Sequence, residues 1–184
     1  LTGLESLTRL AGDVHIGAYS AKNPSLESLK GLDNLISIGG SLIIGYNPSL
    51  TCLSGLNNLS YINGNLDIGQ VAPNSQYQSS LTHLTGLNNL DSIGGSLLIW
   101  ENDALESLSG LENLTAVNGD VQIGKSYSWW GSYWNGGNPK LVDLIGLSNL
   151  TFIGGNLKIV GNDSLISLTG LENSDTGSCM YIWH

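Results

Sequence analysis

A 24-residue segment written three times constrains this chain more than anything else in it. Residues 31–54 read GLDNLISIGGSLIIGYNPSLTCLS, residues 86–109 GLNNLDSIGGSLLIWENDALESLS, and residues 146–169 GLSNLTFIGGNLKIVGNDSLISLT. Their shared frame is G-L-x-N-L-x-x-I-x-G-x-L-x-I-x-x-N-x-x-L-x-x-L-x. A period in the twenties with apolar residues in fixed slots is the signature of a solenoid. One unit cannot bury its own apolar side, so it stacks on the next.

Cutting the chain at each Gly-Leu gives repeats at 3–30, 31–54, 55–85, 86–109, 110–145 and 146–169, with a partial unit at 170–184. We read 1–184 as a single solenoid domain of about seven coils. The second, fourth and sixth repeats keep the 24-residue length, and the first, third and fifth are longer. Every insertion enters directly after the L-x-I segment, at Gly17–Ser25, Gly69–Ser80 and Gly124–Lys140. Insertions at one point of a repeat emerge on one side of the stack. Three loops of rising length are thus expected along one flank, on alternate coils. The opening Leu1-Thr2-Gly3-Leu4 matches Leu168-Thr169-Gly170-Leu171, so the chain starts in mid-coil. That start reads as a mature or excised piece of a longer chain, with an open end stacked on another molecule as the alternative.

The L-x-I segments alternate in and out as strands do. They run from Val14-His15-Ile16 through Leu157-Lys158-Ile159, and Met180-Tyr181-Ile182 reads as a seventh, with Ser174 in the place of an upstream Leu. Stacking would join them in a parallel sheet at about 4.8 Å spacing. Gly-Gly or Asn-Gly pairs precede most of these strands and suit a tight turn. The other sides of the coil are too short and Gly-rich for long helices, and extended or short 3₁₀ segments are expected there. The fold class is mostly β.

Six basic residues against fifteen acidic ones give a formal charge of −9. Nucleic acid and anionic membrane are disfavoured, because phosphate binding needs clustered Lys and Arg. No apolar run reaches the length of a membrane span. The low charged fraction, 11%, with plentiful Ser, Asn, Gly and Thr, suits a secreted or cell-surface protein.

The frame I-x-G-x-L-x-I-x-x-N-x-x-L-x-x-L resembles the leucine-rich repeats of secreted surface proteins. It is most similar to the receptor L-domain type. That resemblance covers the whole chain and implies a right-handed parallel β-helix, an extracellular location and a recognition role. The chain departs from receptor L domains in lacking cysteine-rich flanks. It departs from ordinary leucine-rich repeats in placing Leu three residues after the Asn, as from Asn47 to Leu50.

The three inserts hold none of the chain's acidic residues. They carry Tyr19, Tyr77, Tyr127, Trp129, Trp130, Tyr133 and Trp134 among Ser, Gly, Asn and Gln. Rigid amphipathic aromatics among small polar groups form the vocabulary of a paratope, and aromatic faces also suit sugars. A satellite core beneath a long loop is the other reading of the same residues. Ile43, Leu98 and Trp100 fall on outward strand positions of the even coils. Either the loops cover them, or they form an exposed apolar patch of the kind that marks a binding surface.

Other features read as structural. One Asn series (Asn23, Asn47, Asn102, Asn138, Asn162, with Gln78 in the third repeat) is expected to stack as a ladder that satisfies backbone groups. A second series runs from Asn34 to Asn173. Asn58, Asn113, Asn149 and Asn162 head N-x-S/T sequons, which are possible N-glycosylation sites. Cys52 and Cys179 stand about five coils apart, some 24 Å, and a disulfide needs Cα atoms within about 7 Å. They are either unpaired thiols or partners in an intermolecular disulfide.

Catalysis finds little support. Asp13, Asp67 and Asp120 recur on alternate coils at a spacing that would suit an inverting carboxylate pair, yet no third group accompanies them. His15, His83 and His184 occupy different repeat slots, so no metal site or other cofactor is expected. The sequence therefore reads as a non-catalytic extracellular recognition or adhesion module whose aromatic loops bind a glycan or a protein. The alternative is a structural subunit whose copies assemble into a filament or layer.

Overall fold

The computed structural model describes residues 3–17, 22–69, 79–129 and 132–183. Tyr19, Tyr77, Gln78, Trp130 and His184 lie outside the described residues.

The repeat is built on two steps, first of three residues and then of two. In the second and third coils Asn47, Leu50, Leu53, Leu56, Leu59 and Ile62 follow one another every third residue. Backbone bonds from Leu50 N–H to the Asn47 carbonyl, Leu56 to Leu53 and Leu59 to Leu56 close i→i+3 turns. A turn of that pitch returns every third side chain to one side, so these leucines line the interior. All four are fully buried. At Leu66 the step changes to two, Leu66-Asp67-Ile68, as the chain enters a strand.

Each coil contributes two strands. The first strands are β1 (Arg9–Leu10), β3 (Ser37–Ile38), β5 (Tyr61–Ile62), β7 (Ser92–Ile93), β9 (Ala116–Val117), β13 (Phe152–Ile153) and β15 (Asp175–Thr176). The second are β2 (Val14–Ile16), β4 (Leu42–Ile44), β6 (Leu66–Gly69), β8 (Leu97–Trp100), β10 (Val121–Ile123), β14 (Leu157–Val160) and β16 (Met180–Trp183). Among the described residues they form two seven-stranded sheets, each strand parallel to the equivalent strand of the next coil. A third, two-stranded sheet joins β11 (Ser126–Trp129) to β12 (Ser132–Asn135). This is a mostly β, solenoid-like fold with one short 3₁₀ turn at Ile145–Leu147.

The expected seventh strand is present: β16 pairs with β14, with Tyr181 opposite Lys158. The first-strand sheet is the addition. The segments expected to be merely extended are paired through every coil, because Ile38, Ile62, Ile93, Val117 and Ile153 stack in register and bring their backbones into bonding range.

Two polar ladders link the coils, one inside the stack and one along its surface. Asn47, Asn102, Asn138 and Asn162 are buried. The Asn102 amide donates to the carbonyls of Ile68 and Trp100, and the Asn162 amide to those of Ile123 and Val160. The N–H groups of Asn102 and Asn138 donate to the side-chain oxygen of the next Asn in the series. At the turn before each second strand, Asp13, Ser41, Asn65, Ser96, Asp120 and Asn156 link successive coils. Asp13 and Asp120 therefore belong to this turn ladder, whereas Asp67 is an outward residue of β6. The alternate-coil row of three carboxylates read from the sequence does not form.

Candidate functional site

The third insert folds as an antiparallel ribbon, β11–β12, rising from the end of β10. Its register pairs Ser126 with Asn135, Tyr127 with Trp134, Ser128 with Tyr133, and Trp129 with Ser132. Directly opposed residues share a face, and alternate residues share it again. Tyr127, Trp129 and Trp134 therefore fall on one face, and Tyr133 falls with Ser126, Ser128 and Asn135 on the other. The insert reads as an undifferentiated loop at sequence level. Its hairpin signal is the alternation of serines and aromatics on both sides of Trp130-Gly131.

The root of the ribbon is tied to its own strand ends and to the coil before it. Lys125 and Gly136 exchange backbone hydrogen bonds, and Glu101 N–H donates to the Gly136 carbonyl at 3.0 Å. Lys125 Nζ lies 4.1 Å from the centre of the Trp100 ring, a cation–π distance. The Trp100 indole N–H donates to Asp67 Oδ1 at 2.8 Å. A Cβ on Gly69 would sit 2.2 Å from the Trp100 carbonyl oxygen and 3.1 Å from its Cδ1, so the glycine permits the close approach of the Trp100 backbone first and of the indole edge second.

Trp100 is thus 5% exposed, so of the two readings of its outward strand position it takes the covered one. It is an anchor between coils, held by Asp67 of one neighbour and covered by Lys125 of the other. Leu98 and Ile43 are half-buried, whereas His15 of β2 and Tyr181 of β16, at the equivalent middle positions, are exposed.

Charge collects around this anchor. Burial raises the Asp67 carboxyl above its ordinary range, against the Trp100 hydrogen bond and the Lys125 charge. Glu101 is pushed up to about 7, first by burial and then by Asp103, with Lys125 opposing. Glu101 also holds φ +53°, a left-handed conformation uncommon outside Gly. Tyr46 (φ +58°) and Gly161 (φ +66°) take the same slot in the other even coils, so the repeat demands the conformation there. Away from this cluster, the Asn156 backbone N–H holds the Asp120 carboxyl below its usual range, aided by Lys158 at 3.2 Å. The sequence did not single out Glu101, whose burial and Lys125 neighbour arise from packing against the next coil.

Among the described residues, no group of three or more His, Cys, Asp or Glu is placed to hold a metal, and no helix is long and apolar enough to cross a membrane. Cys52 is half-buried and Cys179 exposed, and neither is in a disulfide. The sequons divide. Asn58, Asn113 and Asn149 are exposed, with amides that donate to a carbonyl of the preceding coil. Asn162 is 1% exposed and spends its amide on two carbonyls. It is not a glycan acceptor in the folded chain, so peptide mapping of folded chain from a glycosylating host should find Asn162 unmodified.

Residues 60–130 match the family model of the receptor L domain. That segment, under half of the chain, runs from β5 into the ribbon and is similar to this family. No curated protein and no solved structure matches the chain.

Proposed function

We propose that the chain, read as one solenoid domain over 1–184, is an extracellular recognition or adhesion module that binds a glycan or protein through its aromatic ribbon. The observation that carries the reading is the register that gathers Tyr127, Trp129 and Trp134 on one face of β11–β12. Such residues offer large contact area at low conformational-entropy cost. The receptor L domain, to which residues 60–130 are similar, suggests a non-catalytic ligand-binding module. Tyr133 belongs to the opposite face. Tyr19, Tyr77 and Trp130, which lie outside the described residues, are proposed as further contacts on the strength of the sequence alone. Ile43, Leu98 and Trp100 act from beneath, with Trp100 a positioning residue rather than a contact.

The test is a titration of purified chain against arrayed glycans and then extracellular proteins. Trp129→Ala and Trp134→Ala are each expected to weaken binding at least about tenfold, as loss of a central aromatic anchor does. Tyr133→Ala should weaken it far less. Equal losses in all three variants, or none, would remove the one-face reading.

A second reading, self-assembly, draws on the last coils. Ile166 is 90% exposed, Met180 55% and Leu168 39%, and β15 and β16 are the terminal strands of their sheets. Copies joined there would appear as high-mass species in light scattering without ligand. Loss of those species under reductant would place Cys52 and Cys179 in the joint.

A further inference from the structure

We propose that an open trough on the outer face of the first-strand sheet, between Arg9 and Tyr61, is a second binding site that takes a carboxylate-bearing sugar. The site is separate from the aromatic ribbon, and the inference does not depend on the ribbon reading.

The trough spans the first three coils. Leu10, Ile38 and Ile62 turn toward the core, so Arg9, Ser37 and Tyr61 stand on the outer side of β1, β3 and β5. The register aligns them in one row, Arg9 opposite Ser37 and Ser37 opposite Tyr61. Two strand spacings separate the ends of the row, about 10 Å. Ala11, Gly39 and Asn63, two residues further along each strand, complete the lining. Small side chains at Ser37, Ala11 and Gly39 leave a low floor between the Arg9 and Tyr61 walls, and the open trough measures about 460 Å³. That volume is in the range of small-molecule sites. A Cβ on Gly39 would fall 2.5 Å from the Ala11 carbonyl oxygen, so the close stacking of the coils keeps the floor low.

The two walls carry the chemistry. Arg9 is the chain's one arginine, and it is exposed. Among the described residues neither its guanidinium nor the Ser37 hydroxyl has a hydrogen-bond or ion-pair partner. No residue lining the trough is acidic, in a chain with fifteen acidic residues. A planar fork of donors without an internal carboxylate fits an external one through two parallel hydrogen bonds. On the other wall Tyr61 is 39% exposed, and its hydroxyl donates to Asn63 Oδ1 at 3.0 Å. The Asn63 amide in turn donates to the Gly39 carbonyl. The ring is thereby held before a ligand arrives, which reduces the entropy lost on binding. A fixed aromatic face takes the C–H side of a sugar ring, and the Ser37 hydroxyl is free to bond a sugar hydroxyl. An acidic peptide side chain would use Arg9 alone; the sugar uses both walls.

The stacking frame does not ask for these residues. The same slot holds Ser92, Ala116, Phe152 and Asp175 in the later coils, so the sheet forms without arginine or tyrosine there. None of those coils sets a cation across from an aromatic, which confines the site to the first three.

The experiment is a titration of the full chain with a short oligogalacturonate, read by the backbone amide NMR shifts of residues 9–11, 37–39 and 61–63. Its methyl ester supplies the same rings without charge, and oligoglutamate of equal length supplies the charge without the rings. The acid sugar should bind at least about tenfold more tightly than either control. Arg9→Gln and Tyr61→Ala should each weaken it at least about tenfold. Tyr61→Phe, which keeps the ring, should lose far less, and Phe152→Ala on the same face should lose nothing. Replacing ribbon residues 126–135 should leave this binding unchanged. Absence of shifts at these amides, or an ester bound as well as the acid, overturns the site. Equal binding of oligoglutamate overturns the sugar assignment and makes the trough a reader of acidic peptide. Binding that is lost with the ribbon but kept in Arg9→Gln overturns the trough and leaves the ribbon reading standing.

Discussion

Gly86→Ala is expected to destabilise the protein by about 4 kcal/mol, the sum of a forbidden backbone conformation and an overpacked contact. Gly86 has φ +120°, and a Cβ built there falls 2.1 Å from the Leu53 carbonyl oxygen. That neighbour is the backbone of the coil below, so no rotamer relieves the clash. The fit repeats in the coil before and in the later coils: a Cβ on Gly55, Gly110, Gly146 or Gly170 would lie within 2.2 Å of a leucine carbonyl one coil back. The melting temperature should drop by roughly 10 °C. Each coil contacts only its neighbours, so a break between the third and fourth coils also separates two folding units. Urea unfolding followed by circular dichroism should therefore show a lower midpoint and a broader transition. A variant that unfolds as sharply and as late as wild type would mean the coils are not stacked this closely.

Asn138→Ala is the second large effect, expected near 3 kcal/mol. The residue is fully buried. Its amide donates to the Ile99 carbonyl and to Asn162 Oδ1, and its own oxygen accepts from the Asn102 N–H and amide. Alanine leaves the Asn102 N–H without its acceptor and opens a small void, and the orphaned buried donor is the larger part. Asn138 also lies two residues beyond Gly136, where the ribbon rejoins the coil, so the loss reaches the site. Denaturation should report the global loss, and exchange at Gly136 should report a looser root. Asn149→Ala, which removes an exposed member of the outer series bonded at 2.6 Å to the Glu112 carbonyl, should cost well under half as much. Equal costs at the two positions would show that burial is not what makes the inner ladder matter.

The two predictions mark what sequence could and could not reveal. Gly86 and Asn138 are fixed slots of the 24-residue frame, and a slot that recurs from coil to coil announces an inter-coil constraint. The L-x-I strands and the structural Asn ladder were legible for that reason. The first-strand sheet was less so, because two-residue strands such as Ser37–Ile38 carry no alternation long enough to read. At Trp100 the sequence left covered and exposed readings open, because the groups that decide it, Asp67 and Lys125, stand on adjacent coils. Glu101 was not legible, because its burial and the Lys125 charge beside it arise from packing that its own repeat does not encode. The aromatic content of the third insert was plain, whereas its division into two faces depends on a cross-strand register set by backbone pairing.

The most direct test of the recognition account is to replace residues 126–135 by a short Gly-Ser connection and measure ligand binding beside the intact chain. Circular dichroism should show the solenoid retained, because Lys125 and Gly136 already face each other across the base. The account predicts that the intact chain binds a glycan or protein from the array and that the shortened, folded chain does not. Undiminished binding by the shortened chain would contradict it and move the ligand to another face of the solenoid.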